Sequence, residues 1–360
     1  MIRVQNVYYM LAYAFQCLNE RDEKRYSEEQ FDYVADLFAS ILANGVAKQI
    51  KKGLFKEYVT YQEELSRPRG RIRLSDTINR MAAQQKTTVC DVDEYVENMY
   101  SNQILKSVLI LLIKSSDVKE TTKKKLKTFL PFFQQIGETD MKHVGWNRIT
   151  YTRNNSSYRM MMYICQLIID GMIISDGKTN EFRLKEFIDD QKMHTLYEKF
   201  ILEYYRKHYP QFKVTQSQID WNLDDDVKIL LPKMKSDIMI EYKGRTLIID
   251  AKYYKSSLQT NSLFGNKTVH SHNLYQIYTY VKNKDRFSDK SVSGMLLYAN
   301  VDGQNPNVDY MMDGNKISVK TLDLNCSFSV VKQQLDAFAN SWLNYIGEAN
   351  EDRAPDNIIS

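Results

Sequence analysis

The sequence has 360 residues, of which 43% are hydrophobic and 26% are charged, so it is long enough for two ordinary globular domains. It contains no apolar run near the roughly 18–20 residues of a membrane span and no signal-peptide cleavage pattern, and its four cysteines are scattered singly, which argues against a disulfide framework or a zinc site and favours a cytoplasmic protein. The formal net charge of +4 permits a nucleic-acid partner without requiring one.

The first half of the chain is predicted to be mostly helical. Ser27-Glu-Glu-Gln30 has the pattern of a capping box, and apolar residues then recur over residues 31–46 with the spacing of an amphipathic helix. Strands are predicted over residues 56–65 and 72–74, on either side of a Pro-Arg-Gly turn. Further helices are predicted over residues 93–114, 120–130 and 158–174.

Two basic stretches interrupt this half. Arg67, Arg69, Arg71 and Arg73 surround one proline and one glycine, and they are read either as a solvated turn or as a contact with DNA or a partner protein. The lysine run over residues 123–127 is more simply explained as the solvated face of a helix.

The second half has an alternating pattern of helices and strands. A helix is predicted over residues 191–209, followed by short strands, a hairpin, a helix over residues 273–282 and an apolar strand over residues 293–299. This plan predicts an α/β fold, α+β overall. We expect an N-terminal domain over residues 1–185, a second domain over 186–347 and a flexible tail over 348–360.

The hairpin brings two carboxylates together. If Lys243-Gly244 is its two-residue loop, Ile238 opposes Ile249 and Asp237 opposes Asp250. Strand alternation then places Lys252 on the same face as Asp250. Opposed carboxylates repel one another, so a cation is needed between them. The residues alone leave two interpretations open: an ion cluster neutralised by Lys252, or a site for a divalent metal.

The metal interpretation has a chemical use. Oxygen ligands without nearby Cys or His favour Mg²⁺, with Mn²⁺ possible, over zinc. Such a metal polarises a phosphodiester and lowers the pKa of its water, while a lysine on the same face orients the attacking water.

These residues resemble a known nuclease signature. Asp237 followed by Asp250-Ala-Lys252 is similar to the PD-(D/E)xK motif, although Ser236 replaces its proline. Leu196-Tyr-Glu198-Lys-Phe200 resembles the helix that brings an extra acidic metal ligand in these nucleases, and Gln276-Ile-Tyr-Thr-Tyr280 resembles the Q-x-x-x-Y element of the RecB-like branch.

The resemblance becomes more specific when the whole chain is considered. Four segments together look like the McrC family, the nuclease subunit of McrBC-type modification-dependent restriction systems, and the resemblance spans most of the chain, from residue 2 to about 345. They are Val4-Gln-Asn-Val-Tyr-Tyr-Met-Leu-Ala-Tyr-Ala14, Arg69-Gly-Arg-Ile72, Asp250-Ala-Lys-Tyr-Tyr254 and Asn273-Leu-Tyr-Gln-Ile-Tyr-Thr-Tyr280.

The resemblance implies a role for each site residue. Asp237 and Asp250 are expected to bind Mg²⁺ together with the carbonyl of Ala251, and Lys252 is expected to position the water. Glu198 is the implied extra ligand, although periodicity alone does not separate it from Glu203. Gln276 and Tyr280, which face the same way on a helix, are expected to hold a phosphate or the lysine; packing within the protein is the alternative.

The resemblance also implies partners. The sequence has no G-x-x-x-x-G-K-[ST] motif, so the chain is not expected to be an NTPase. In the family, a hexameric AAA+ GTPase, McrB, moves on DNA, and McrC cuts the DNA and stimulates GTP hydrolysis through its N-terminal region, which makes residues 1–185 an interaction domain. Dimerisation of McrC for double-strand cleavage is a further expectation. The alternatives are a non-catalytic adaptor of an AAA+ motor and a stand-alone RecB-like repair nuclease.

Overall fold

In the computed structural model the described residues are 2–16, 31, 33–82, 84–152, 155, 157–173, 190–225, 227, 229–253, 258–260, 267–300 and 306–351. The chain divides into two units. Residues 33–187 form the inserted unit, and residues 1–32 together with 188–360 form the main unit. This division differs from the expected domains 1–185 and 186–347, because the first 32 residues belong with the C-terminal half.

The first helix explains this difference. Helix α1 (Val4–Ala14) is almost wholly buried. Its Tyr9 ring stacks on Phe328 with centroids 3.9 Å apart, and Asn6 Nδ2 donates to the carbonyl oxygens of Leu324 at 2.8 Å and Cys326 at 2.9 Å. All of these partners lie near the other end of the chain, so α1 is part of the main unit's core.

The inserted unit is a helical assembly that carries a small sheet. Its helices are α2 (Val34–Lys52), α3 (Leu74–Ala82), α4 (Tyr100–Lys114), α5 (Glu120–Lys127) and α6 (Tyr158–Ile173), and its strands are β1 (Glu57–Leu65), β2 (Arg71–Ile72) and β3 (Thr88–Val96). Short 3-10 helices lie at Leu130–Phe133, Met141–His143 and Trp146–Arg148. The strand order is β1-β3-β2, and both pairs are antiparallel.

Two of the sequence predictions for this unit are wrong. Residues 93–96, predicted as the start of a helix, complete β3, and α4 begins only at Tyr100. Pairing along the full length of β1 stabilises β3 in a way that local periodicity does not reveal. Leu74, predicted to end a strand, is the first residue of α3. The capping box at residues 27–30 lies outside the described residues.

The main unit continues after the inserted unit with α7 (Asp190–His208) and a six-stranded sheet. The remaining elements are β4 (Lys213–Thr215), β5 (Gln218–Ile219), β6 (Met234–Lys235), β7 (Ile238–Tyr242), β8 (Arg245–Lys252), β9 (Leu258–Thr260), β10 (Lys267–Val269), α8 (Ser271–Lys284), β11 (Val292–Asn300), β12 (Val308–Met312), β13 (Asn315–Asp323) and α9 (Phe328–Glu351). The sheet has the order β12-β13-β11-β8-β7-β4, with β11 parallel to both neighbours; β5–β6 and β9–β10 form separate pairs.

Every residue of the central strands β8 and β11 is buried, so both faces of these strands are covered, and the charged residues of β8 are buried with its apolar ones. Helix α8 covers one face, where Ile277 and Val281 join Ile248 and Leu296 in a single core cluster. Helix α7 packs against β7 and β8. A Cβ at Gly294 of β11 would lie only 2.8 Å from Ile277 and 2.9 Å from Val281, so glycine lets α8 approach the sheet closely.

The predicted α/β class is confirmed, and the predicted strand at 293–299 is β11. Beyond it the sequence analysis missed β12, β13 and α9. Helix α9 continues to Glu351, so the first residues of the expected tail are helical, and residues 352–360 lie outside the described residues. None of the helices in the described parts of the chain is long and apolar enough to cross a membrane.

Candidate active site

The site is built on the hairpin of β7 and β8. Lys243 and Gly244 both have positive φ, 49° and 75°, as a tight two-residue loop requires. The predicted register is confirmed, because Tyr242 pairs with Arg245 and Ile238 pairs with Ile249. Asp237 directly precedes the ladder, so the hairpin register brings it to the level of Asp250, where the sequence analysis predicted it.

Asp237 and Asp250 are held together by the backbone. Asp237 Oδ2 accepts a hydrogen bond of 2.9 Å from the amide of Ala251. Asp250 is 1% exposed. Lys252 Nζ forms an ion pair with Oδ2 at 2.9 Å, and among the described residues Oδ1 has no hydrogen-bond partner. A buried carboxylate with so few partners is costly and calls for a cation.

The charges of this cluster act on one another. Burial raises the pKa of Asp237 to about 8, and the negative charges of Asp250 and Glu198 add to the effect. Burial also raises the pKa of Asp250, against the opposing charge of Lys252. Both shifts favour the protonated carboxyls when no metal is bound, and a cation between the two groups would favour their ionised forms.

Lys252 is positioned from α8. Its Nζ donates to Gln276 Oε1 at 3.2 Å, and Gln276 Nε2 donates to the hydroxyl of Tyr280 at 2.9 Å. Lys252 is only 7% exposed, and its register partner on β11 is Tyr298. The structure thus places Gln276 against the lysine and Tyr280 against Gln276, and a role of either in holding a phosphate stays a prediction.

Helix α7 brings one of the two candidate glutamates to the cluster. Glu198 lies close enough to Asp237 to raise the pKa of that carboxyl, and its own Oε1 is 2.6 Å from His194 Nδ1. Glu203 instead accepts from Gln16 Nε2 at 2.9 Å and pairs with Arg206 at 2.7 Å. The geometry therefore favours Glu198 over Glu203 as the additional acidic group.

The donors fit a hard cation that keeps part of its water shell. Among the described residues, no three His, Cys, Asp or Glu side chains are grouped tightly enough to enclose an ion. Mg²⁺ is commonly bound through one or two carboxylates and several waters, so the buried pair Asp237 and Asp250 is sufficient for it. The amide of Ala251 is bonded to Asp237, and binding of a metal by its carbonyl stays a prediction.

The four arginines lie in the inserted unit: Arg67 and Arg69 precede β2, Arg71 is on β2, and Arg73 lies between β2 and α3. Arg69 pairs with Glu94 at 3.0 Å and Arg73 pairs with Asp76 at 2.9 Å, both largely exposed. Gly70 has φ 80°, and a Cβ there would lie 2.3 Å from the carbonyl oxygen of Asp91, so the turn requires glycine. Arg67 and Arg71 are also exposed. Contact of these arginines with DNA or a partner remains a prediction.

His194 is the site residue that the sequence analysis missed. It precedes Glu198 by four residues, and its charge acts to lower the pKa of Asp250. The i, i+4 spacing of a histidine and a glutamate on the predicted helix was the available signal.

Fold and site together define a mixed α/β protein whose central hairpin carries a buried carboxylate pair and a lysine. The family described as "McrBC 5-methylcytosine restriction system component" matches residues 3–299, and the chain belongs to this family.

The known relatives agree with this assignment. The chain is 28% identical over 338 residues, 93% of its own length and 96% of the relative's, to the "Type IV methyl-directed restriction enzyme EcoKMcrBC" of Escherichia coli K12. Its fold is similar, with a TM-score of 0.54, 17% identity and coverage of 94% of this chain and 75% of the other, to a chain in a "half-complex from tetradecameric assembly of Thermococcus gammatolerans McrB AAA+ hexamers with bound McrC".

Proposed function

We propose that this chain is the Mg²⁺-dependent DNA endonuclease subunit of an McrBC-like restriction system, with a PD-(D/E)xK site formed by Asp237, Asp250 and Lys252. The observation that carries the proposal is the buried carboxylate of Asp250: its Oδ2 is ion-paired with Lys252 at 2.9 Å beside Asp237, while its Oδ1 has no hydrogen-bond partner among the described residues. A purely structural ion cluster would be expected to satisfy both oxygens.

The chain's own residues have distinct tasks in this reaction. Asp237 and Asp250 would hold Mg²⁺, with Glu198 nearby. When bound, the ion would polarise the scissile phosphodiester and lower the pKa of a water. Lys252, kept in place by Gln276 at 3.2 Å, orients the attacking water and stabilises the negative charge that develops on the phosphate. Tyr280 fixes the amide of Gln276 and thereby the lysine.

The partner follows from family membership and from the similar structure, which contains McrB AAA+ hexamers. Because this chain carries no P-loop motif, we propose that an AAA+ GTPase hexamer supplies the motor and that this chain supplies the cleavage. The inserted unit, with its arginine turn, is the proposed site of that interaction. Pairing of two copies would allow both DNA strands to be cut.

The direct test uses Asp250→Asn and Lys252→Ala in the full chain, assayed on 5-methylcytosine-containing plasmid DNA with the AAA+ partner, GTP and Mg²⁺. We expect both changes to lower cleavage by a factor on the order of 10² to 10⁴. Glu203→Gln is the matched control, because that carboxylate pairs with Arg206 away from the cluster. It should cut like the wild type.

Two further measurements complete the test. Stimulation of the partner's GTPase should persist in both site variants. If the chain were a non-catalytic adaptor, the site variants and the wild type would show the same cleavage. Undiminished cleavage by pure Asp250→Asn protein would rule out the proposed site.

A further inference from the structure

His194 and Glu198 form a pair on one side of α7, one helical turn apart. The distance from His194 Nδ1 to Glu198 Oε1 is 2.6 Å, and the two side chains are only 24% and 21% exposed. A carboxylate can only accept a hydrogen bond, so Nδ1 carries the proton and donates it. One of the two Glu198 oxygens is therefore already used by the histidine.

The pair lies on α7, which packs against both strands of the hairpin, β7 and β8. Glu198 acts electrostatically on Asp237, and His194 acts on Asp250. Yet Glu198 does not close a three-residue cage with Asp237 and Asp250 in the described structure. Glu198 is thus held by another side chain on the helix that packs against the hairpin.

The same helix provides a comparison. Glu203 is held by Arg206 and by Gln16 and takes no part in the cluster. Two glutamates five residues apart are therefore held in different ways, and the one held by a histidine is the one near Asp237. A hydrogen bond between a glutamate and a neighbouring side chain is common. The distinguishing feature of the His194–Glu198 pair is that its glutamate acts on Asp237.

We propose that His194 is a positioning residue that holds Glu198, through its Nδ1 hydrogen bond, in the orientation in which the other carboxylate oxygen would bind the water shell of Mg²⁺. The inference rests on the proposed function, because it requires that Asp237 and Asp250 bind the ion. Partners that orient a metal-binding group in this way typically account for a factor of about 10 to 100 in metal affinity.

The test compares replacements that mimic different ring nitrogens. Asparagine places its amide nitrogen near the position of Nδ1, whereas glutamine reaches towards that of Nε2. The measurement is the Mg²⁺ concentration that gives half of the maximal rise in melting temperature of the full chain, repeated with Mn²⁺, and it needs no DNA cleavage. Melting in EDTA shows whether each variant is folded.

We expect His194→Ala and His194→Gln to raise the half-saturating Mg²⁺ concentration by about 10- to 100-fold, and His194→Asn to remain within about threefold of the wild type. In a Glu198→Gln background, His194→Ala should cause no further change. The matched control is Arg206→Gln, which breaks the ion pair between Arg206 and Glu203 and should leave the midpoint unchanged.

Several outcomes would overturn the inference. One is retention of affinity in His194→Gln with loss in His194→Asn, since His194 would then act through Nε2. Another is that the effects of His194→Ala and Glu198→Gln on the half-saturating Mg²⁺ concentration are fully additive. A third is that His194→Ala leaves this concentration unchanged. If wild-type protein shows a Mg²⁺-dependent rise but the His194 variants match it, only the inference fails. If the wild type responds to neither metal and does not cut DNA, the proposed function fails, and the inference with it.

Discussion

Replacing Asp237 by asparagine should make the metal-free protein increasingly more stable than the wild type as the pH rises. The asparagine keeps an oxygen that can accept the Ala251 amide at 2.9 Å but carries no charge. The pKa of Asp237 in the folded protein is about 8, against an ordinary value of 3.8. Because the folded pKa is the higher one, the stability due to the protonated carboxyl is fully present below about pH 4 and is lost as the pH rises towards 8.

The size of the effect follows from these two pKa values. Each unit corresponds to about 1.4 kcal/mol, so the three pH units between 5 and 8 correspond to about 4 kcal/mol. The asparagine variant does not titrate at this position. The difference in unfolding free energy, variant minus wild type, should therefore grow by about that amount over this range.

The assay is urea unfolding in EDTA at pH 5, 6.5 and 8, followed by tryptophan fluorescence. Trp146 is in the inserted unit and Trp221 and Trp342 are in the main unit, so a Trp146→Phe background reports on the main unit. Saturating Mg²⁺ at pH 8 should stabilise the wild type and Glu203→Gln but not Asp237→Asn. A difference in unfolding free energy that stays constant from pH 5 to pH 8 would refute the reasoning, because Asp237 would then ionise normally.

Three other predictions concern separate parts of the molecule. Tyr280→Phe removes one hydrogen bond to Gln276 and should lower cleavage by about 3- to 10-fold, measured at saturating Mg²⁺, whereas Gln276→Leu should lower it more; equal rates would show that the two residues only pack. Gly294→Ala should destabilise the protein by about 1–3 kcal/mol in thermal denaturation, because the new Cβ would lie 2.8 Å from α8, and an unchanged melting temperature would show that α8 can shift at little cost. Arg69→Ala with Arg73→Ala should change stability by less than about 1 kcal/mol, since both ion pairs are exposed, but should weaken stimulation of the partner GTPase; unchanged stimulation would exclude the arginine turn from that interface.

The hairpin could be predicted because its register and its side-chain orientation are determined by residues that are close together in the sequence. A two-residue loop with glycine sets the register, and alternation decides which side chains share a face. These two rules are enough to place Asp237 near Asp250. By contrast, β3 depends on β1, a partner more than twenty residues away, and its last residues were therefore assigned to the helix that follows. Helix α9 was missed although its apolar residues recur with helical spacing.

The choice between Glu198 and Glu203 shows a different limit of the sequence. Both residues flank the apolar side of α7, so periodicity treats them alike. What separates them is tertiary: Gln16, from just beyond α1, binds Glu203, and the carboxylates of the hairpin lie near Glu198. The spacing of residues within α7 does not reveal that Gln16, 187 residues earlier in the chain, contacts Glu203.

The burial of α1 in the main unit has a practical consequence for dividing the protein. A fragment that begins at residue 186, the natural choice from the sequence, would remove Tyr9 from the ring of Phe328 and leave the carbonyl oxygens of Leu324 and Cys326 without Asn6. A better fragment would keep residues 1–32 and 188–360, join them through a flexible linker and omit the inserted unit. The inserted unit is one continuous segment of the sequence, residues 33–187, between two segments that together form the main unit. Replacing this segment by that of a relative would leave α1 and the strands of the hairpin unchanged in sequence.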